Sequence, residues 1–269
     1  MTAALPRIWF EGRILAADEP IVTALDQGLL LGDGVFEVLV VRERRPVMLD
    51  RHLRRLRRGL DRLGIVGAPA DADLADAIDA LVADADLEAA RIRITVSPGP
   101  GPGPRQRGNA PLCVIAIDRL EAPPDSTTLT IVPWPRNERS PLAGIKAAAW
   151  SENAFALRHA TAKGYGNALF LDTTGRLSEC ATANIFLVID EEVLTPTLAS
   201  GCLAGTAREV LMERGVARDC DLRPSDLERA DAVFITSATG LVPVTRIDDL
   251  EFPSGSPAIE RARGALVRP

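Results

Sequence analysis

Residues 118–126, DRLEAPPDS, interrupt an otherwise well-patterned chain. Charge, two adjacent prolines and a loss of apolar rhythm arrive together, which marks a connector rather than an element. The break divides the chain into a smaller half, residues 1–118, a linker at 119–125, and a larger half, residues 126–269. Each half must then bury a core of its own, and 269 residues suffice for two.

Before the break, residues 7–16 (RIWFEGRILA) read as two short strands turning at Glu11-Gly12. Gly32-Asp33-Gly34 gives a tight turn ahead of 35–41 (VFEVLVV), whose β-branched residues predict a strand. Leu53, Leu56, Leu60 and Leu63 give helical spacing over 50–63, and Leu74, Ile78, Leu81 and Val82 do so over 71–87. Strands are predicted at 91–97 and 112–117, with the Pro/Gly loop PGPGPGPRQRG between them. After the break, predicted strands at 128–133, 168–172, 184–189 and 232–236 accompany helices at 150–163, 205–215 and 225–229. The pattern predicts two α/β domains with a cleft between them, the common setting of a small-molecule site.

Several function classes are disfavoured. Residues 51–58 (RHLRRLRR) hold five arginines, but their leucines form a helical stripe and the arginines a solvated face. A formal net charge of -6 also opposes a nucleic-acid binder. No run approaches the roughly 20 apolar residues that a membrane helix needs. The opening MTAALPRIWFEGR lacks the basic-then-apolar pattern of a secretory signal. A cytoplasmic chain with no membrane association is expected. Cys113, Cys180, Cys202 and Cys220 have no paired spacing and read as free thiols. With only His52 and His159 besides, no metal site is expected.

Two segments carry chemistry. Lys146, in SPLAGIKAAAW, is flanked by small and apolar residues. Burial lowers an amine's pKa, which suits Schiff-base chemistry. A lysine snorkelling from a strand edge would look the same. Glu179, in ECATANIF, stands among small residues just before a strand. An acid there could hold a pyridine nitrogen protonated, or could be an ordinary turn residue.

Taken together, the two segments resemble the class IV pyridoxal 5'-phosphate (PLP) aminotransferases, the group that includes branched-chain aminotransferase, D-amino acid aminotransferase and aminodeoxychorismate lyase. The resemblance rests on Glu179, Asn184-Ile185-Phe186, Val193-Leu194-Thr195, Leu203-Ala204-Gly205 and Arg208 at the family's spacing. It extends through Gln27-Gly28, residues 32–37, Leu49-Asp50-Arg51-His52-Leu53, Gly164-Tyr165, 169–172 and Pro243-Val244. Thr206 stands where an aliphatic residue is usual.

This resemblance implies a two-domain D-amino acid aminotransferase-like α/β fold, bound PLP, a small amino substrate and a homodimer. It implies that Lys146 forms the Schiff base and serves as general base and acid. Glu179 would pair with the ring nitrogen. Arg51, the amides of Thr206 and Ala207, and Ser237 would hold the phosphate. Trp150 replaces a tyrosine that bonds the phenolic oxygen. Phe36 occupies a substrate-facing position. Arg105 and Arg107 would meet a substrate carboxylate. Pro98-Gly99 and Gly166-Asn167 depart from the usual Arg-Gly and Asp-Glu.

Within the group, Leu142-Ala143-Gly144-Ile145-Lys146 and the Glu179-Cys180 segment resemble the lyases, which release pyruvate and 4-aminobenzoate, a folate precursor. Ala147-Ala148-Ala149-Trp150 does not match them, so an amino-acid transaminase stays open.

Overall fold

The computed structural model describes residues 6–267. The opening residues 1–5, part of the stretch read as carrying no secretory signal, lie outside the described residues. The chain forms two units. Among the described residues, one comprises residues up to 121 and 145–150, the other residues 122–144 and those from 151 onward. The sequence break at 118–126 puts 145–150, with Lys146, in the second half. The contacts return that segment to the first unit.

The first unit holds strands β1 (Arg7–Phe10) and β2 (Arg13–Ala16), helix α1 (Gln27–Leu31), β3 (Val35–Arg42) and β4 (Arg45–Pro46). Helices α2 (Leu49–Leu63) and α3 (Asp71–Ala85) follow, then β5 (Ala89–Ser97) and β6 (Leu112–Arg119). The sheet order is β2-β1-β6-β5-β3-β4, and every neighbouring pair is antiparallel. Alternation along β3 sends Val35, Leu39 and Val41 into a core with Leu53, Leu56 and Leu60 of α2 and Leu74, Ile78 and Leu81 of α3. The arginine-rich face of α2 is largely spent: Arg54 and Arg58 are exposed, Arg57 bonds Asp71 at 2.6 Å, and Arg55 turns inward.

Helix α1 was not predicted. It is only five residues long, too short to show a period. Asp26 caps it by accepting from the Leu29 amide at 3.1 Å, and Gly32 closes it with φ 67°. A Cβ on Gly32 would lie 2.9 Å from the Ala149 Cα, so glycine is required there on two grounds.

The second unit holds β7 (Thr127–Ile131), α4 (Ser151–Ala162), β8 (Asn167–Leu171), β9 (Leu177–Cys180), β10 (Asn184–Ile189) and β11 (Glu192–Pro196). After a 3-10 turn come α5 (Thr206–Glu213), β12 (Arg218–Cys220), α6 (Pro224–Leu227), β13 (Ala232–Ser237), β14 (Gly240–Ile247), β15 (Leu250–Glu251) and α7 (Pro257–Val267). The sheet runs β12-β11-β10-β13-β14-β7-β8-β9, with β15 on β14, and mixes parallel and antiparallel pairs. β10 is buried along its whole length. Ile185, Leu187 and Ile189 face one core, while Phe186 and Val188 face another with Leu211 of α5 and Ile259 of α7. That explains its unbroken apolar run. The mixed α/β class expected from the sequence is the one found.

Candidate active site

Lys146 sits on a short extended segment laid against the start of β3. The Phe36 amide donates to the Lys146 carbonyl at 2.9 Å, and the Ala148 amide donates to the Gly34 carbonyl at 2.8 Å. Ala147 bridges Val35 between them. Ile145 packs on the core of the first unit, which anchors the segment from below.

Phe36 lies at the centre of the chemistry around this lysine. The Lys146 Nζ is 4.4 Å from its ring centroid, the Arg93 guanidinium carbon is 3.9 Å away, and Trp150 meets it edge-on at 6.0 Å. A ring beside two cations is held by its quadrupole as well as by packing. Phe36 is 3% exposed, so these neighbours cover it almost fully. Arg93, which sequence reasoning missed, enters because alternate residues of β5 share the Phe36 face. Thr95 opposes Phe36 directly across the pair.

Arg51 is the third residue of α2, in its first turn. The next residue, His52, is buried with Glu37 and Arg55 in an ionic cluster below that turn.

The Pro/Gly loop is anchored rather than a free connector. The Gln27 side-chain amide donates to the carbonyls of Gly103 (2.8 Å) and Gln106 (3.0 Å). Arg107 makes a bidentate pair with Asp33 at 2.7 and 2.9 Å and also donates to the Leu63 carbonyl. Arg105 lies exposed in the turn between Gly103 and Gln106. Of the two loop arginines, Arg107 is thus already engaged by a carboxylate of its own unit.

A second group of residues belongs to the other unit. Glu179 lies on β9, and its Oε2 accepts from the Leu203 amide at 2.9 Å. Its Oε1 is 3.4 Å from Nη2 of Arg136. That arginine lies over the Phe170 ring at 4.2 Å and donates to Glu152 at 2.6 Å. Arg136 lies 43 residues before Glu179 and carries no motif, so the sequence gives no signal of this pair.

The Leu203 carbonyl accepts from the Asn184 side-chain amide at 2.8 Å, which fixes the strand end to the chain entering α5. Gly205 is the N-cap of α5, followed by buried Thr206 and Ala207. A Cβ on Gly205 would fall 2.0 Å from the Asn184 Oδ1, so only glycine permits this approach. A glycine cap also brings no side chain over the first amides of the helix. Ser237, at the end of β13, shares a 2.8 Å hydroxyl–hydroxyl bond with Thr239 and accepts from its amide at 3.2 Å. Arg208 is structural: it donates to the Pro196 carbonyl at 3.1 Å and to Asp219 at 2.9 Å, joining β11 to β12.

The two cysteines beside Glu179 are not nucleophiles. Burial, reinforced by the Glu179 charge, raises the Cys202 thiol to about 11 and drives Cys180 higher still. Within the second unit the available chemistry is therefore that of a fixed acid, a hydroxyl pair and a helix start suited to anions.

The family model for class IV amino-transferases matches residues 34–247. The aminodeoxychorismate lyase of Bacillus subtilis is 26% identical over 263 residues, covering 93% of this chain and 89% of the relative. The bifunctional aminodeoxychorismate lyase / D-amino acid transaminase of Mycobacterium tuberculosis is 27% identical, covering 87% and 88%. Among solved structures, the branched-chain aminotransferase of Thermoproteus uzoniensis superposes with a TM-score of 0.88 at 25% identity, covering 96% of this chain and 93% of that one.

Proposed function

The chain belongs to the class IV aminotransferases, whose members are PLP-dependent enzymes, and we propose that within the family it is a 4-amino-4-deoxychorismate lyase. The observation that carries this reading is the setting of Lys146. Arg93 and Trp150 both pack on the Phe36 ring that Lys146 lies over, and a guanidinium and an indole so close to the lysine suit a flat, carboxylated ring better than a small aliphatic amino acid. The match along nearly the whole chain to the Bacillus subtilis lyase supports the same choice.

The residues fit the cofactor. Lys146 supplies the anchoring amine. Glu179, held by the Leu203 amide and Arg136, would pair with the ring nitrogen. The glycine-capped start of α5 at Thr206 and Ala207 suits a phosphate, with Arg51 and the Ser237 hydroxyl as further partners. The Trp150 indole N–H is a donor for the phenolic oxygen. When bound, PLP supplies an electron sink.

Once the substrate's own 4-amino group has taken its place, the freed Lys146 amine would take the proton from C4 of the substrate. The C–H electron pair enters the ring, which becomes aromatic. The bond to the enolpyruvyl oxygen breaks with its own pair. Lys146 returns a proton to the departing group, which leaves as pyruvate, and 4-aminobenzoate remains. Arg105 serves as a substrate carboxylate partner, and Arg107 does so by exchanging Asp33 for the ligand.

A transaminase reading is favoured by the similarity to a relative that is named for both activities and to branched-chain and D-alanine aminotransferases. It shares the proton removal by Lys146 but ends with a 2-oxo acid released and the amino group retained. Incubation of the purified protein with aminodeoxychorismate, with coupled pyruvate detection, tests the choice. Pyruvate and 4-aminobenzoate in equal amounts are expected. Conversion of D- or L-amino acids to 2-oxo acids, without pyruvate from aminodeoxychorismate, would contradict it.

As to setting, no helix among the described residues is long and apolar enough to cross a membrane. We propose a cytoplasmic homodimer. The exposed Leu25, Leu29 and Leu30 around α1 form the kind of apolar surface that a second copy would cover.

A further inference from the structure

Glu37 is the one acid within the run VFEVLVV, and its side chain is fully buried. Its carboxylate accepts from Arg55 Nε and Nη2, each at 2.7 Å, and lies 2.7 Å from His52 Nδ1. An ionic cluster this deep is costly to desolvate, and apolar residues of similar volume would hold β3 and α2 together as well. Its presence calls for a reason other than stability.

The position of Glu37 supplies one. The preceding residue, Phe36, donates its amide to the Lys146 carbonyl. The residue preceding His52 is Arg51. Glu37 thus lies on a short continuous path, through β3 and the first turns of α2, from the backbone of Lys146 to that of Arg51. The fork of Arg55 fixes the carboxylate in plane, and its second oxygen fixes the His52 ring. One rigid group therefore sets the rotation and height of the helix turn that carries Arg51, relative to the segment that carries Lys146.

We propose that Glu37 is a positioning residue that fixes the distance between Lys146 and Arg51, so that an aldehyde held by the lysine and a phosphate held by the arginine are recognised as one molecule. The inference rests on the reading of Lys146 and Arg51 given under the proposed function.

The test compares PLP with pyridoxal, which carries the same aldehyde without the phosphate. Dissociation constants of both are measured on the full chain after cofactor removal, for wild type, Glu37→Gln, His52→Gln and Arg51→Gln. Glu37→Gln is expected to weaken PLP by about tenfold or more while pyridoxal changes by less than about twofold. His52→Gln keeps the Arg55 fork, serves if Glu37→Gln does not fold, and is expected to give a smaller loss of the same kind. Adding Glu37→Gln to Arg51→Gln should cost no further PLP affinity. Equal weakening of PLP and pyridoxal, or unchanged affinity for both, overturns the inference. If Arg51→Gln itself leaves the preference for PLP over pyridoxal intact, the underlying reading of Arg51 fails instead.

Discussion

Arg136 stands 3.4 Å from Glu179, on the carboxylate oxygen opposite the one that accepts from the Leu203 amide. The two contacts hold both oxygens of one acid. An arginine cannot lose its charge, so Glu179 faces a permanent cation.

Replacing Arg136 with methionine removes that cation while keeping most of the stem. Loss of a charge-assisted contact of this kind should lower kcat/KM by about tenfold or more. Arg136→Lys should recover part of the loss. Steady-state kinetics of the three proteins checks this, and an unchanged kcat/KM in the methionine variant would remove Arg136 from the site.

Gly205→Ala should weaken PLP. The new methyl would displace Asn184, and Asn184 holds Leu203, whose amide in turn holds Glu179. An overpacking cost of about 1–3 kcal/mol corresponds to roughly 5- to 150-fold in affinity if it falls on the bound state. Equilibrium titration of the cofactor-free protein measures it.

Arg107→Gln and Asp33→Asn separate two roles of the loop. If Arg107 meets a substrate carboxylate, its glutamine variant should raise KM by about tenfold with kcat nearly unchanged. Asp33→Asn weakens the competing pair and should lower KM. The pair itself is half-exposed, so breaking it should cost less than about 1 kcal/mol of stability. A rise in KM in both variants would make the pair purely a loop anchor.

Glu37 predicts a pH dependence of folding. Burial alone would raise its pKa, but the bonds from Arg55 and His52 prevail and hold it below the ordinary glutamate value of 4.5. A depressed carboxylate stabilises the fold at pH above its unfolded value, and the contribution fades as pH falls below 4.5 toward the folded pKa. Denaturant unfolding should therefore show the wild type losing its advantage over Glu37→Gln on acidification through that range. A difference that stays constant or grows would contradict the assignment.

Much of this was legible in the sequence because it is local. The leucine spacing of α2 and the unbroken apolar run of β10 are written in consecutive residues. Lys146 and Glu179 stand out by their small and apolar neighbours, and Gly205 by the spacing shared with the family, all of them local signals. What escaped was short or distant. β9 and β12 are too brief and polar to show alternation. β14 carries Pro243, which argues against a strand; it is tolerated because pairing with β7 begins only at Val244 and is bulged just after. The return of 145–150 to the first unit depends on an antiparallel bridge between Val35 and Ala147, and the occupation of Arg107 on an acid 74 residues away. No periodicity reports such pairings.

The chain has two lysines, Lys146 and the exposed Lys163. Borohydride reduction of the holoenzyme, followed by peptide mass analysis, therefore gives a nearly binary answer. The account predicts a phosphopyridoxyl label on the peptide containing Lys146 and loss of that label in Lys146→Ala. A label on Lys163, or none on either lysine in protein that has bound PLP, would contradict it.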